Sequence, residues 1–153
     1  MTIDLSRWRA PDELVNAIWE ARRNDRRDLV VQVVQLLSHS SPTVREEAAS
    51  LVFVKWGDRA HRQRLLAMAT SDRDAGVRAR AAGIMSLTAP TQNIGNELRI
   101  LRDIVLNRQE EDVVRKSAYE GLVRLVKSDF IVLDDELDID EDLDLNWVQE
   151  IDD

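Results

Sequence analysis

Three copies of one short pattern constrain the fold of this chain more than any other feature. Val44-Arg45, Val77-Arg78 and Val114-Arg115 each precede an alanine at the fourth position after the valine (Ala48, Ala81, Ala118). An apolar residue follows at the eighth position (Val52, Met85, Leu122). Positions i, i+4 and i+8 drift only slightly around a helix, so each copy writes one apolar stripe with a small residue at its centre. The small alanine allows a neighbouring helix to come close, and the adjacent arginine points away from that contact. The copies are spaced 33 and then 37 residues apart. A period of that length predicts stacked helical hairpins, each too small to bury its apolar face alone.

Helix punctuation agrees with this period. Pro11-Asp12-Glu13 starts a helix, with Leu14, Val15, Ile18 and Trp19 as its stripe and Arg22-Arg23 at its carboxyl end. This first helix is expected to cap the array, with Leu5 and Trp8 as anchors of the lead-in. A second helix is expected over about residues 26–37, and Ser40-Ser41-Pro42 to cap a third that runs to Lys55 or Trp56. Gly57 stops that helix, and Asp58 caps the next, which holds Leu65, Leu66 and Met68. Asp72 or Asp74 opens the helix of the second copy. The stretch from Thr88 to Asn96 is the longest polar connection, and Leu98, Leu101 and Val105 mark a further helix before Val114.

The pattern Asp74-Ala-Gly-Val77-Arg78, with Trp56-Gly57-Asp58 at a preceding turn, resembles the short HEAT repeats of the phycobilisome-lyase-like kind. The resemblance covers about residues 26–127, with Ser41-Pro42 in place of the usual aspartate in the first copy and Gly121 inside the helix of the third. It implies an all-α fold: a short right-handed α-solenoid of about three helical hairpins, with the Val-Arg helices on the concave face. The expected organisation is a solenoid domain over residues 1–128 and an acidic tail over 129–153. Such repeats serve many unrelated partners, so the resemblance speaks for the fold and not for a function.

Charge supplies the second constraint. Residues 1–128 hold all 21 basic residues against 17 acidic ones (21 − 17 = +4); residues 129–153 hold 12 acids and no base (−12). A mildly basic body with a polyanionic end suits a cationic partner or contact with the chain's own arginines. In the tail, Leu137, Ile139, Leu143, Leu145 and Trp147 alternate with acids. An EF-hand is excluded because Leu143 occupies the position that needs glycine. Aspartate is a poor helix former outside a first turn, which argues against a stable helix here. Phe130 to Leu133 is expected to dock on the last repeat, and the remainder to be a flexible extension, to fold back along the arginines, or to order on a partner.

Candidate partner-contacting residues follow from the two features. Arg45, Arg78 and Arg115 occupy equivalent positions, either as a structural ladder or as a row of cations for carboxylates and phosphates. Arg80 and other arginines out of register (Arg22, Arg23, Arg26, Arg27, Arg59, Arg62, Arg64) are the better candidates for a partner surface. Asp134, Asp135, Glu136, Asp138, Asp140, Asp142, Asp144 and Trp147 are the candidates of the tail. Trp19 and Trp56 occupy stripe positions and are expected in the core.

Chemistry is not indicated. There is no cysteine, hence no disulfide or thiolate metal site, and His39 and His61 have no metal-ligand spacing. Phosphate-loop glycines and a nucleophile elbow are both missing. The expectation is a non-enzymatic, cytoplasmic protein without cofactor or metal that binds another protein bearing a basic surface, in the manner of an immunity protein against a nucleic-acid-targeting toxin. Two other readings stay open: a nucleic-acid binder autoinhibited by its tail, and a lyase or assembly accessory.

Overall fold

The computed structural model describes residues 10–151, so the expected anchors Leu5 and Trp8 lie outside the described residues. Every regular element among those residues is helical. Two compact units follow one another, Met1–Leu65 and Leu66–Asp153, with the boundary inside one helix.

The first unit begins with α1 (Pro11–Arg23), opened by proline in its first turn and buried along Leu14, Val15, Ala17, Ile18 and Ala21. Trp19 does not join that face. It lies about 100° round the helix from Ile18, is 48% exposed, and donates its indole N–H to Glu47 Oε2 at 3.0 Å. The single helix expected over 26–37 is two pieces, a 3-10 turn at Arg27–Leu29 and α2 (Val30–Leu36). Asp25, with φ of 45°, reverses the chain before them. α3 (Pro42–Ala49) follows an extended Ser41, whose hydroxyl makes no cap bond; Pro42 alone suits the start.

α3 runs on into a π-helical segment, Ser50–Lys55. Four consecutive residues of it, Ser50 to Phe53, are buried, so the segment is enclosed on more than one side. Gly57 ends it in the left-handed conformation (φ 64°), as its position predicts. Asp58 then accepts the His61 N–H at 3.1 Å just ahead of α4 (Arg62–Ser71).

In the second unit, α5 (Ala75–Leu87) and α6 (Gly95–Leu106) both pack on α7 (Asp112–Lys127). Asp74, rather than Asp72, caps α5 by accepting the Val77 N–H at 3.1 Å. Ser117 Oγ donates to the Ala79 carbonyl at 2.8 Å, tying α7 to α5. The glycine inside α7 is there for closeness: a Cβ on Gly121 would stand 3.1 Å from Ser86 Cβ and 3.2 Å from Leu101 Cδ1. All nine stripe residues of the three copies are buried: Val44, Ala48, Val52, Val77, Ala81, Met85, Val114, Ala118 and Leu122.

Beyond α7, Ser128 turns the chain with φ of 54°. A strap without regular structure leads to two short helices, α8 (Ile139–Asp142) and α9 (Leu145–Gln149). The tail folds back on α6 and α7, one of the alternatives its sequence leaves open. Phe130 and Val132 are 70% and 93% exposed, while Ile139, Val148 and Ile151 are buried. The distal part is buried on α6 and α7, while the proximal run is held more loosely: Ile131 and Leu133 are half-buried, and the Phe130 ring lies 4.6 Å from the Arg124 guanidinium. Aspartate does not prevent these helices because each is about one turn long, and the acids sit at their starts. Asp138 accepts the N–H groups of Asp140 (2.9 Å) and Glu141 (3.2 Å), and Asp144 accepts that of Trp147 (2.9 Å).

Candidate functional site

The register arginines perform one job in each copy. Arg45 Nη1 donates to the carbonyls of His39 (2.8 Å) and Ser40 (3.0 Å). Arg78 Nη1 donates to the Asp72 carbonyl at 2.6 Å, again six residues back. Arg115 Nε reaches the Val105 carbonyl at 2.9 Å, ten residues back and inside the last turn of α6. In every case the guanidinium satisfies carbonyls between the preceding helix's last turn and the start of its own helix, in the loop for Arg45 and at the helix end for Arg78 and Arg115. Arg45 and Arg115 are buried, and Arg78 is nearly so. The arginine ladder therefore consists of internal ties.

In the second unit the other edge of each guanidinium reaches onward along the chain. Arg78 meets Glu110 through Nε and Nη2, the latter at 2.7 Å from Oε1, and also pairs with Glu111. Burial by itself pushes the Glu110 carboxyl up, but hydrogen bonds from Arg78 and at Glu111, with the charge of Arg78, hold it at about 2. Arg115 Nη2 makes the corresponding bond to Asp140 Oδ1 at 2.8 Å. That hydrogen bond holds the Asp140 carboxyl below its usual range; burial opposes it, and the charges of Arg115 and Arg108 reinforce it. Asp140 thus stands toward Arg115 as Glu110 stands toward Arg78. The tail supplies to the last repeat the acid that a following repeat would have brought.

Four further ties secure the clasp, none of them visible from sequence spacing. The buried Lys116 donates Nζ to the carbonyls of Asp134 (3.0 Å) and Asp135 (2.7 Å). Glu120 accepts the Leu133 N–H at 2.8 Å, and Arg102 donates to the Ile151 carbonyl at 2.7 Å. Trp147 meets Tyr119 edge to face at 5.7 Å between ring centroids, with Lys127 Nζ 3.9 Å from its ring. Burial pushes the Tyr119 phenol up.

The candidate residues therefore separate by situation. Asp140 and Trp147 are engaged by α7, with Asp140 still 38% exposed at its side chain. Asp134, Asp135, Glu136, Asp138, Asp142 and Asp144 are exposed, as are Glu141 and Glu150, which alternation alone did not single out. Several of these carboxylates fold the tail itself: Asp134 accepts the Glu136 N–H (3.0 Å) and Asp142 that of Asp138 (2.9 Å). Arg80 is exposed on α5.

Among the described residues no group of three or more His, Asp or Glu is arranged to hold a metal ion. No helix among them is long and apolar enough to cross a membrane. His39 Nδ1 accepts the Ser41 N–H at 3.1 Å, and the His61 ring contacts Asp58, so both histidines serve turns. In comparisons with known proteins, a family model of HEAT repeats matches residues 30–123. No curated protein and no solved structure matches the chain.

Proposed function

Since the chain belongs to the HEAT-repeat family, a typically non-catalytic family whose repeats generally mediate protein–protein interaction, we propose that it is a binding module for a protein with a basic surface. The residues proposed to meet that partner are the outward acids of the tail, with Glu136, Asp138, Glu141 and Asp142 at their centre. We extend the proposal to an immunity-type role, in which this face occupies the nucleic-acid-binding site of a cationic toxin and stands in for a phosphate backbone.

The observation that carries the reading is the pinning of the tail by Arg115, Lys116 and Arg102, which holds its carboxylates in place without using most of them. A preorganised anionic strip avoids the ordering cost that a flexible polyanion meets on binding. Asparagine keeps a helix cap while removing charge. A chain with Glu136→Gln, Asp138→Asn, Glu141→Gln and Asp142→Asn should therefore fold as the parent and bind a purified basic ribonuclease at least about tenfold more weakly at low salt. Equal binding by parent and variant, or binding by the parent that salt does not weaken, rejects this role for the tail.

One observation favours a second reading, that of a nucleic-acid binder held closed. The tail lies on Arg102, Arg115, Lys116 and Lys127, four cations of α6 and α7. If it shields them from phosphates, Asp140→Asn combined with Ile139→Ser should raise single-stranded RNA affinity, with a steeper salt dependence. An unchanged RNA affinity in that variant leaves the protein-binding role alone.

A further inference from the structure

The first unit contains a surface cavity of about 380 Å³, lined by Arg27, Val30, Trp56, Asp58, Arg59 and Ala60. That size falls in the range of small-molecule sites. Its wall is local in origin. The π-helical segment Ser50–Lys55 delivers Trp56, whose N–H bonds back to the Leu51 carbonyl at 3.0 Å. Gly57 then turns the chain so that Asp58 and Arg59 follow along the same wall. Arg27 Nη1 holds this loop by its Trp56 carbonyl at 3.2 Å. π segments inside helices frequently mark functional sites.

The polar atoms still uncommitted in this wall indicate the ligand. Asp58 already accepts from the His61 ring with both oxygens, at 3.2 Å each, and from the His61 N–H. Arg59 is exposed, and its side chain has no hydrogen bond or ion pair among the described residues. Trp56 is buried, and its indole N–H has no acceptor, a costly condition for a donor shut away from water. The free group that a ligand in this wall can reach is thus a guanidinium, suited to bidentate contact with an oxyanion. Val30, Ala60 and the indole ring supply apolar surface beside it. We propose that this cavity binds a small organic anion, a carboxylate or phosphate monoester carried on an apolar body, with Arg59 gripping the anion and Trp56 packing against the body.

The test is a titration of the full-length, isotopically labelled chain followed by the side-chain N–H resonance of Trp56, assigned by its disappearance in Trp56→Phe. The probes are 4-phenylbutyrate, phenyl phosphate, inorganic phosphate and the uncharged 4-phenylbutanol. At least one of the two aromatic anions should shift that resonance saturably, and which one does so separates carboxylate from phosphate recognition. Arg59→Ala, an exposed substitution, should weaken that binding about tenfold, as expected for loss of a charge-assisted hydrogen bond. No saturable shift with either anion overturns the proposal, as does equal affinity for 4-phenylbutanol or an unchanged affinity in Arg59→Ala. Inorganic phosphate binding as tightly as phenyl phosphate would remove the apolar half of the site.

Discussion

Arg78 and Arg115 occupy the same position in successive repeats of the second unit and each bonds one backbone carbonyl and an acid further along the chain, yet their acids come from different kinds of chain. Glu110 belongs to the turn before the next repeat helix, and its side chain is 12% exposed. Asp140 belongs to a tail that follows the last repeat, and it remains more open to water. The first pair locks two repeats; the second closes the end of the array. The difference explains how a polyanionic extension can be structural and still free for recognition. One of its acids repeats an internal contact, and the others have no such duty toward α7. An open array of repeats needs a polar terminal cap, and here a short acidic segment provides it.

If the repeats share one apolar seam, a buried charge should be ruinous in either. Val77→Asp and Val114→Asp each place an unpaired carboxylate where the parent side chain is buried. Each should cost several kcal/mol, of order half the stability of a small domain. Far-ultraviolet circular dichroism with thermal melting measures this; a parent-like melt in either variant breaks the equivalence of the copies.

The pairs themselves should differ. Arg78→Met leaves Glu110 enclosed without its partner and should cost about 3 kcal/mol, the scale for breaking a buried pair. In urea melts, Glu110→Gln should destabilise more than Asp140→Asn, since Glu110 holds its arginine through two enclosed bonds and Asp140 through one that is partly open to water. Added salt should shrink the Asp140 effect and spare that of Glu110. Equal effects would mean that the tail contact is as enclosed as the one between repeats.

Acid provides a milder probe. The Glu110 carboxyl lies at about 2 against an ordinary value of 4.5. Its contribution is therefore fully present above the ordinary value and declines as pH falls from there toward about 2. Asp140 is also lowered, so its contribution fades in the same direction. Stability of the parent should fall through this window, and Glu110→Gln should flatten the fall, as followed by melting temperature at successive pH values. A variant whose acid dependence matches the parent would place the titrating group elsewhere.

The smallest effect is expected at the tail's aromatic contact. Lys127→Ala removes the cation over Trp147 and should cost roughly 0.5–1 kcal/mol. Hydrogen exchange should show the loss in α8 and α9 before it shows in α5. Uniform loosening of the unit would make the tail part of its core rather than its cap.

Much of the fold was legible from local signals. The stripe of valine, alanine and a larger apolar residue names the buried face of each repeat helix. Asp74 and Gly57 mark a helix start and a helix stop through backbone preferences that need no distant partner. The break after Leu29 and the π segment after Ala49 were not legible, because neither changes the apolar pattern enough to show. Trp19 misleads for a related reason: a large apolar residue at the rim of a stripe fits inside or outside, and Glu47 provides the outside alternative.

The site was less readable than the fold. By itself the sequence determined the helical period, the faces that must be buried and the concentration of negative charge in the last residues, since these depend on neighbours along the chain. Only the tertiary structure decided that Arg115 takes its acid from Asp140, that Lys116 holds the strap, and that Ile139, Val148 and Ile151 are buried while Phe130 and Val132 stay exposed. Alternating acids and apolar residues offer several ways to lie down on a surface. The choice among them rests on distances between groups remote in sequence, which composition and spacing do not encode.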